Sequence, residues 1–230
     1  MAAFATVNGL SIIEGWLALP RIGVWLAELA VDSFQTASGP AIIQLPSHQL
    51  VGTFTRNGPD VTQLLRARVV GGAAGLATTI APKSYGSIPL KVVLQDALRD
   101  AGETLSPMAD ASLLSTQLTA WSRMSAPASS VVKSLMQVVP GAVWRVLIDG
   151  TVWVGFEGWP ASSLPDTAPI HSEPEKGRIT IASDAPAVFP GTTFQFTLPG
   201  QGPQAVRVGG VRHIIRANGV RTIIQTESPS

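Results

Sequence analysis

The sequence has no cysteine and few charged residues. Its 230 residues include 16 Lys and Arg and 15 Asp and Glu, so charged residues make up 13% of the chain, about half the usual share of a globular domain. Without cysteine there is no disulfide framework, which suits a protein made in a reducing cytoplasm. The formal net charge of +1 provides no strong field for phosphate backbones or anionic lipid. We therefore expect neither specific nucleic acid nor membrane as a partner.

Targeting signals and apolar runs of membrane-spanning length are not apparent in the sequence. Residues 1–8 have neither the basic nor the apolar region of a secretory signal. The uncharged stretch at residues 69–82 is rich in Gly, Ala and Thr. It is too short and too weakly apolar to span a bilayer, which takes about 20 residues. We expect no signal peptide and no transmembrane helix.

Apolar residues are abundant by contrast, at 45% of the chain. Large exposed apolar patches are rare on monomers, because such surface is usually buried in contacts with other molecules. A weakly charged, apolar chain without a membrane signal is therefore predicted to assemble with copies of itself or with other proteins.

Short apolar segments separated by turn residues dominate the first 85 residues. Asn8-Gly9, Pro20 and Gly23 interrupt the pattern at the spacing typical of an antiparallel sheet. Residues 12–19 and 23–31 predict two strands joined by a turn at residues 20–22. Further strands are predicted at residues 41–45, 52–56 and 63–70.

Helical periodicity appears in the middle of the chain. Residues 89–101 predict a helix, with Ser87 able to cap its start and Gly102 following its end. A second helix is predicted at residues 111–124, with Leu114, Leu118 and Trp121 on one face, and a third at residues 127–139.

A hairpin signal follows the helices. Residues 143–148 and 151–155 are rich in β-formers and flank Asp149-Gly150, which predicts a two-residue type I′ loop with positive φ at both positions. Residues 161–177 are predicted to be a loop. Later strands are predicted at residues 178–181, 193–198, 205–208, 211–215 and 220–226, with Asn218-Gly219 marking another tight hairpin.

No motif for metal, nucleophilic or phosphate chemistry stands out. His48, His171 and His213 are far apart in sequence and belong to no ligand motif, so we expect surface or strand-packing roles for them. No Gly-x-Ser-x-Gly elbow is present. The glycine-rich residues 70–75 lack the Lys-Ser/Thr of a P-loop and are predicted to form a flexible turn or bulged strand. We therefore predict no cofactor, no metal and no catalytic residue.

Two binding or catalytic alternatives remain open from the residues alone. Paired carboxylates mark glycoside hydrolases, and the possible members here are Glu14, Glu28, Asp32 and Glu157. Exposed aromatic rings can bind sugars or single-stranded nucleic acid. Six tryptophans are present, for which core or interface packing is favoured: Trp16, Trp25, Trp121, Trp144, Trp153 and Trp159.

The order of these elements resembles the hub proteins of phage baseplates, the family that includes late control protein D and is related to the base of type VI secretion spikes. The resemblance lies in residues 7–27, in residues 92–102 with the hairpin at 144–155, and in residues 188–192, 211–213 and 220–224. It implies a mainly β (α+β) fold with two small antiparallel β-barrels and a helical insert. The implied domains are the first barrel at residues 1–85, the helical insert at residues 86–142 and the second barrel region at residues 143–230.

The resemblance also implies a function. A hub subunit is structural rather than enzymatic and forms a trimeric ring in the tail baseplate of the virion. Such a ring connects the tail tube to the central spike, so the implied partners are copies of the chain, tail tube or distal tail proteins, the spike and baseplate wedge proteins. Pairing barrel edges between subunits would remove edge strands that otherwise aggregate.

Overall fold

Six antiparallel strands close into a barrel in the first third of the chain. The computed structural model describes residues 4–59, 64–163, 169–198, 200 and 202–227. The strands pair in the order β1-β4-β5-β6-β3-β2, and pairing of β1 with β2 closes the ring. Their bounds are Thr6–Val7 (β1), Leu10–Pro20 (β2), Leu26–Val31 (β3), Gly39–Gln44 (β4), Gln49–Pro59 (β5) and Leu65–Gly71 (β6).

The barrel follows from a period-two pattern in its strands. In β6, Leu65, Ala67 and Val69 are buried while Arg66 and Arg68 are exposed, as expected when successive side chains point to opposite faces. The predicted strands of this region are confirmed, although β3 begins three residues later than predicted and residue 63 lies outside the described residues.

Three short two-stranded ladders connect the barrel to the helical insert. They pair β7 with β12, β8 with β11 and β9 with β10. The strands are Thr79–Ile80 (β7), Lys83–Tyr85 (β8), Ile88–Pro89 (β9), Gln117–Leu118 (β10), Trp121–Arg123 (β11) and Ala126–Pro127 (β12).

The first and third predicted helices are confirmed as Leu90–Asp100 (α1) and Ala128–Val138 (α3). Gly102 follows α1 with φ of +73°, and its N–H donates to the Arg99 carbonyl, as in a helix C-cap. The predicted Ser87 cap is wrong, because Pro89 occupies the N-cap position and no side chain caps the helix. The Leu90 N–H donates instead to the Thr116 carbonyl.

The second predicted helix is wrong beyond its first turn. Helix α2 covers only Ala111–Leu114, capped by the Asp110 carboxylate. The chain then forms β10 and β11, whose partners β9 and β8 take up its backbone hydrogen bonds. Trp121, predicted on the apolar face of a helix, lies in β11 beside Tyr85, with the ring centroids 6.1 Å apart.

The hairpin after α3 is confirmed, but its turn differs from the prediction. Strands Ala142–Val146 (β13) and Val152–Phe156 (β14) pair up to Val146 and Val152. Of the two predicted turn residues, Asp149 and Gly150, only Gly150 has positive φ. The Gly150 N–H donates to the Leu147 carbonyl, so the turn is longer than two residues. The Asp149 carboxylate accepts the Thr151 N–H at 2.9 Å, which stabilises this alternative turn.

The last five strands extend the barrel sheet instead of forming a separate ring in the described part of the chain. β18 pairs with β2 of the barrel, the order continues β18-β19-β16-β15, and β17 pairs with β18. Their bounds are His171–Glu173 (β15), Arg178–Ile181 (β16), Thr193–Thr197 (β17), Pro203–Arg216 (β18) and Gly219–Glu227 (β19).

Two details of this region correct the sequence predictions. The strands predicted at residues 205–208 and 211–215 are one strand with a bulge between Val208 and Gly210. The predicted loop at 161–177 contains the edge strand β15, whose polar sequence is loop-like; residues 164–168 lie outside the described residues. The Asn218-Gly219 hairpin is confirmed, with Arg216 paired to Gly219.

The mainly β fold class is confirmed, with one closed six-stranded barrel. The division at residues 1–85, 86–142 and 143–230 stays a prediction. Hydrogen bonds join the β13–β14 hairpin to the barrel: the Val146 N–H donates to Gly23 and the Val51 N–H to Ile148.

Candidate functional site

A groove of about 680 Å³ lies on the outer face of the sheet and brings two predicted carboxylates together. Glu14 and Glu28 both line it, but each is held by an arginine. Glu14 Oε1 lies 3.0 Å from Arg66 Nη1, and Glu28 Oε1 lies 3.1 Å from Arg68 Nε. A glycosidase acid needs a carboxyl group that stays protonated in apolar surroundings. These two carboxylates instead lie nearly half exposed against guanidinium groups.

The other two candidate carboxylates lie elsewhere. Asp32 is exposed just after β3 and does not line the groove. The side chain of Glu157 is 8% exposed and accepts a hydrogen bond from Arg145 Nη1 at 2.6 Å. The Arg145 guanidinium also lies over the Trp153 ring, 4.4 Å from its centroid. These three side chains line a second, largely apolar groove of about 530 Å³ beside the β13–β14 hairpin.

Two of the three histidines meet inside the protein, which the sequence did not predict. The rings of His48 and His213 lie 5.6 Å apart, and His48 Nδ1 lies 3.5 Å from Asp184 Oδ2. Asp184 also accepts the Ser47 N–H at 2.8 Å. This histidine cluster joins the β4–β5 turn to β18, whereas His171 lies exposed at the edge strand β15.

Burial controls the protonation of the histidine cluster. It lowers the pKa of His213 to about 3, helped by the neighbouring His48. It also lowers the pKa of His48, against the opposing attraction of Asp184. His213 Nδ1 lies 3.0 Å from Thr222 Oγ1, whose hydroxyl donates to the Ser183 carbonyl. His213 Nδ1–H is therefore the donor to Thr222, and both rings are neutral at pH 7.

The glycine-rich residues 70–75 hold one of the protein's own carboxylates. The backbone N–H groups of Ala73 and Gly75 donate to Glu103 at 3.0 and 2.8 Å. Successive N–H groups in a turn form an anion-binding concavity. Because Glu103 fills this one, the loop serves to join the end of β6 to the end of α1.

The six tryptophans are held by packing, as the sequence favoured. Trp25 and Trp144 are buried, and Trp121 packs beside Tyr85. Guanidinium groups lie over the other three rings: Arg212 over Trp16, Arg145 over Trp153, and Arg21 and Arg207 over Trp159. An aromatic sugar platform presents an open ring face, and these faces carry cations instead.

Within the described ranges, no three His, Cys, Asp or Glu side chains are grouped so that they could hold a metal ion. No helix in the same ranges is long and apolar enough to cross a membrane.

Exposed arginines lie on the sheet face that carries the groove, and they were not predicted as a set from the sequence. Arg66 and Arg68 alternate with buried Leu65, Ala67 and Val69, a period-two signal that is visible in the sequence. The sequence did not show which other arginines share that face, because this depends on strand order.

Comparison with known proteins places the fold. A tail protein of prophage MuSo2 from Shewanella oneidensis superposes with a TM-score of 0.73 at 7% identity, covering 97% of this chain and 96% of that one. A tail protein from Neisseria meningitidis gives 0.66 at 12% identity, covering 98% and 95%. The chain has the fold of these tail proteins. The predicted resemblance is thereby confirmed at the level of the fold.

A secretion protein shares the same fold. A component of the type VI secretion system of E. coli, itself structurally similar to the phage T4 tail proteins gp27 and gp5, superposes with a TM-score of 0.67 at 10% identity, covering 97% of this chain and 77% of that one. No protein-family model and no curated protein matches the sequence.

Proposed function

We propose that this protein is a structural, non-enzymatic subunit of a phage tail, located in the baseplate hub of the virion. The observation that carries the proposal is the fold shared with two phage tail proteins over nearly the full length of each chain. The shared fold of the secretion component similar to gp27 and gp5 supports a place at the junction of tail tube and spike.

Copies of the chain form a trimeric ring in this proposal. Within the eleven-stranded sheet, the described residues leave β15, at the end of the strand order, and β17, beside β18, with one strand partner each, apart from an isolated bridge between Thr193 and Ala161. Unpaired edges are templates for pairing with another chain, and heterologous contacts close into a ring when the rotation is right. The ring connects the tail tube to the central spike and contacts distal tail and baseplate wedge proteins.

Exposed apolar side chains supply further contact surface. Phe34, Met108 and Met124 are each more than 70% exposed, which is unusual for large apolar residues in a chain with few charges. We also propose that the chain divides into three domains, at residues 1–85, 86–142 and 143–230.

The surroundings of the candidate carboxylates and tryptophans do not favour an enzymatic or sugar-binding function. Glu14 and Glu28 are held by arginines, and the rings of Trp16, Trp153 and Trp159 lie under guanidinium groups. Neither arrangement provides a carboxyl group in apolar surroundings or an open stacking platform.

Light scattering of the purified protein tests the ring. The expected result is a particle of three times the 24.0 kDa chain mass, with negative-stain class averages that show a threefold ring. A monomer at all concentrations up to tens of micromolar would contradict the ring.

A further inference from the structure

Six arginines share the outer face of the sheet between β5 and β19. One row of directly paired residues runs Arg56, Arg68, Glu28, Trp16, Ile214, Arg221 across these strands. The next row runs Arg66, Ala30, Glu14, Arg216. Residues directly opposite one another in a sheet point to the same face. The arginine face is defined by Arg56, Arg66, Arg68, Arg212, Arg216 and Arg221.

The charge of this face is concentrated compared with that of the whole chain. Five arginines against Glu14 and Glu28 leave an excess of three positive charges in these two rows, and Arg212, two residues before Ile214 on β18, adds a sixth arginine to the face, whereas the chain carries a net charge of +1. All six cations are arginines. A guanidinium group binds carboxylate or phosphate with two parallel hydrogen bonds, which a lysine cannot do.

Half of the arginine face is available to a partner. Arg66 and Arg68 hold Glu14 and Glu28, and Arg212 lies over Trp16. Arg56, Arg216 and Arg221 are exposed and make no hydrogen bond or ion pair to any residue in the described ranges. These three guanidinium groups are the ones that an anionic partner can reach.

Arg56 is the uncompensated member of a like-charged pair. Arg56 and Arg68 are directly paired between β5 and β6, and like charges opposite each other destabilise a sheet. Glu28 already compensates Arg68. An external anionic group bound at Arg56 would compensate the other charge of this pair.

The surroundings favour a protein over a nucleic acid. Trp16, Ile214 and Ala30 lie between the arginines, and protein interfaces are enriched in Arg and Trp. A net charge of +1 also gives little long-range attraction for nucleic acid.

The described residues of a second copy offer little matching negative surface. Among carboxylates in the described ranges, only Asp32 and Glu175 lack a cation or hydrogen-bond donor within the chain. The carboxylates already held are Glu14, Glu28, Asp96, Asp100, Glu103, Asp110, Asp149, Glu157, Glu173, Asp184 and Glu227. The described carboxylates therefore favour a different protein as the partner.

We propose that the arginine face binds a carboxylate-rich surface of another protein, with Arg56, Arg216 and Arg221 as the contacting cations. The proposal rests on the charge and register of this face, so it holds whether or not the chain forms a ring.

A labelled peptide of about ten glutamates is the probe, at low ionic strength where charge contacts are strongest. The test variant is Arg56→Glu with Arg216→Glu, which leaves the Arg66 and Arg68 ion pairs in place. The control is Lys91→Glu with Lys133→Glu, two exposed lysines on α1 and α3 that give the same change in net charge. Circular dichroism and thermal midpoints verify that both variants fold.

We expect the arginine variant to bind the peptide at least about tenfold more weakly, and the lysine control to change binding less than about twofold. Equal losses in both variants, or no peptide binding by the unchanged protein, would overturn the proposal. Single- or double-stranded DNA of about 20 nucleotides is tested in parallel. DNA binding as strong as peptide binding, and lost in the arginine variant, would also overturn the proposal in favour of a nucleic-acid surface.

Discussion

The Glu103 carboxylate accepts the backbone N–H of Gly75 at 2.8 Å, and this contact joins the chain leaving the barrel to the end of α1. The other carboxylate oxygen accepts the Ala73 N–H. A Cβ atom on Gly75 would lie 1.7 Å from the Ala101 carbonyl oxygen, so glycine is required for the close approach. The glycine-rich sequence thus serves an internal contact.

Replacing Glu103 by Gln tests this contact. The amide can present only one oxygen, so one of the two backbone N–H groups loses its acceptor inside a buried site. We expect the free energy of unfolding to fall by about 2 kcal/mol, measured by urea denaturation. The control is Glu175→Gln at an exposed position, and equal effects of the two changes would contradict the assignment.

The close approach of Gly71 to Trp25 gives a second prediction. A Cβ atom on Gly71 would lie 2.4 Å from Trp25 Nε1, and that indole N–H donates to the Leu147 carbonyl at 3.1 Å. We expect Gly71→Ala to destabilise the protein by about 1–3 kcal/mol through overpacking. Gly86 has no atom within 4 Å of such a Cβ, so Gly86→Ala should leave the urea midpoint unchanged or raise it. A Gly71→Ala midpoint equal to that of the unchanged protein would refute the contact.

The two kinds of carboxylate ion pair should differ in their contribution to stability. Glu157 and Arg145 are largely buried, and removing one partner of a buried pair leaves an uncompensated charge that costs about 3–5 kcal/mol. Glu28 and Arg68 are nearly half exposed, and such pairs contribute about 0–1 kcal/mol. We therefore expect Glu157→Gln to lower thermal stability far more than Glu28→Gln, and the reverse order would be inconsistent with this structure.

Stability should decrease in mild acid because of the histidine cluster. The folded-state pKa of His213 is about 3, whereas an unfolded histidine has a pKa of about 6.5. Between these values the unfolded chain binds a proton that the folded chain does not, so stability is fully present above about pH 6.5 and falls as the pH decreases, by up to about 1.4 kcal/mol per unit. His48, with a lowered pKa, acts in the same direction.

Urea midpoints at pH 7 and pH 5 measure this effect. The variant His213→Asn should show a smaller loss between the two pH values than the unchanged protein. The matched control His171→Asn, at an exposed position, should keep the full loss. An equal loss of urea midpoint between pH 7 and pH 5 in all three proteins would show that His213 does not titrate as described.

The sequence predicted the elements whose patterns are local. Strands β2 to β6, helices α1 and α3 and the β13–β14 hairpin follow from apolar period, turn residues and glycine positions. Residues 115–124 were predicted wrongly as helix because their apolar spacing also suits two short strands. The choice was made by pairing with residues 83–89, which is a tertiary effect.

The candidate sites depended on contacts between distant parts of the chain. His48 and His213 are separated by most of the sequence, and only strand order brings their rings to 5.6 Å. The arginine face likewise combines β5, β6, β18 and β19, although the alternation in β6 was visible in the sequence. Glu14 and Glu28 were named from the sequence only as possible members of a carboxylate pair; strand pairing places both in one groove, and their arginine partners were not predicted.

Labelling of intact virions tests the central claim, a structural role in the tail, most directly. Antibodies against this protein, coupled to gold and imaged on purified virions by electron microscopy, should mark the distal end of the tail where the baseplate lies. Virions that carry no label, while the protein is detected in the lysate that produced them, would contradict the account.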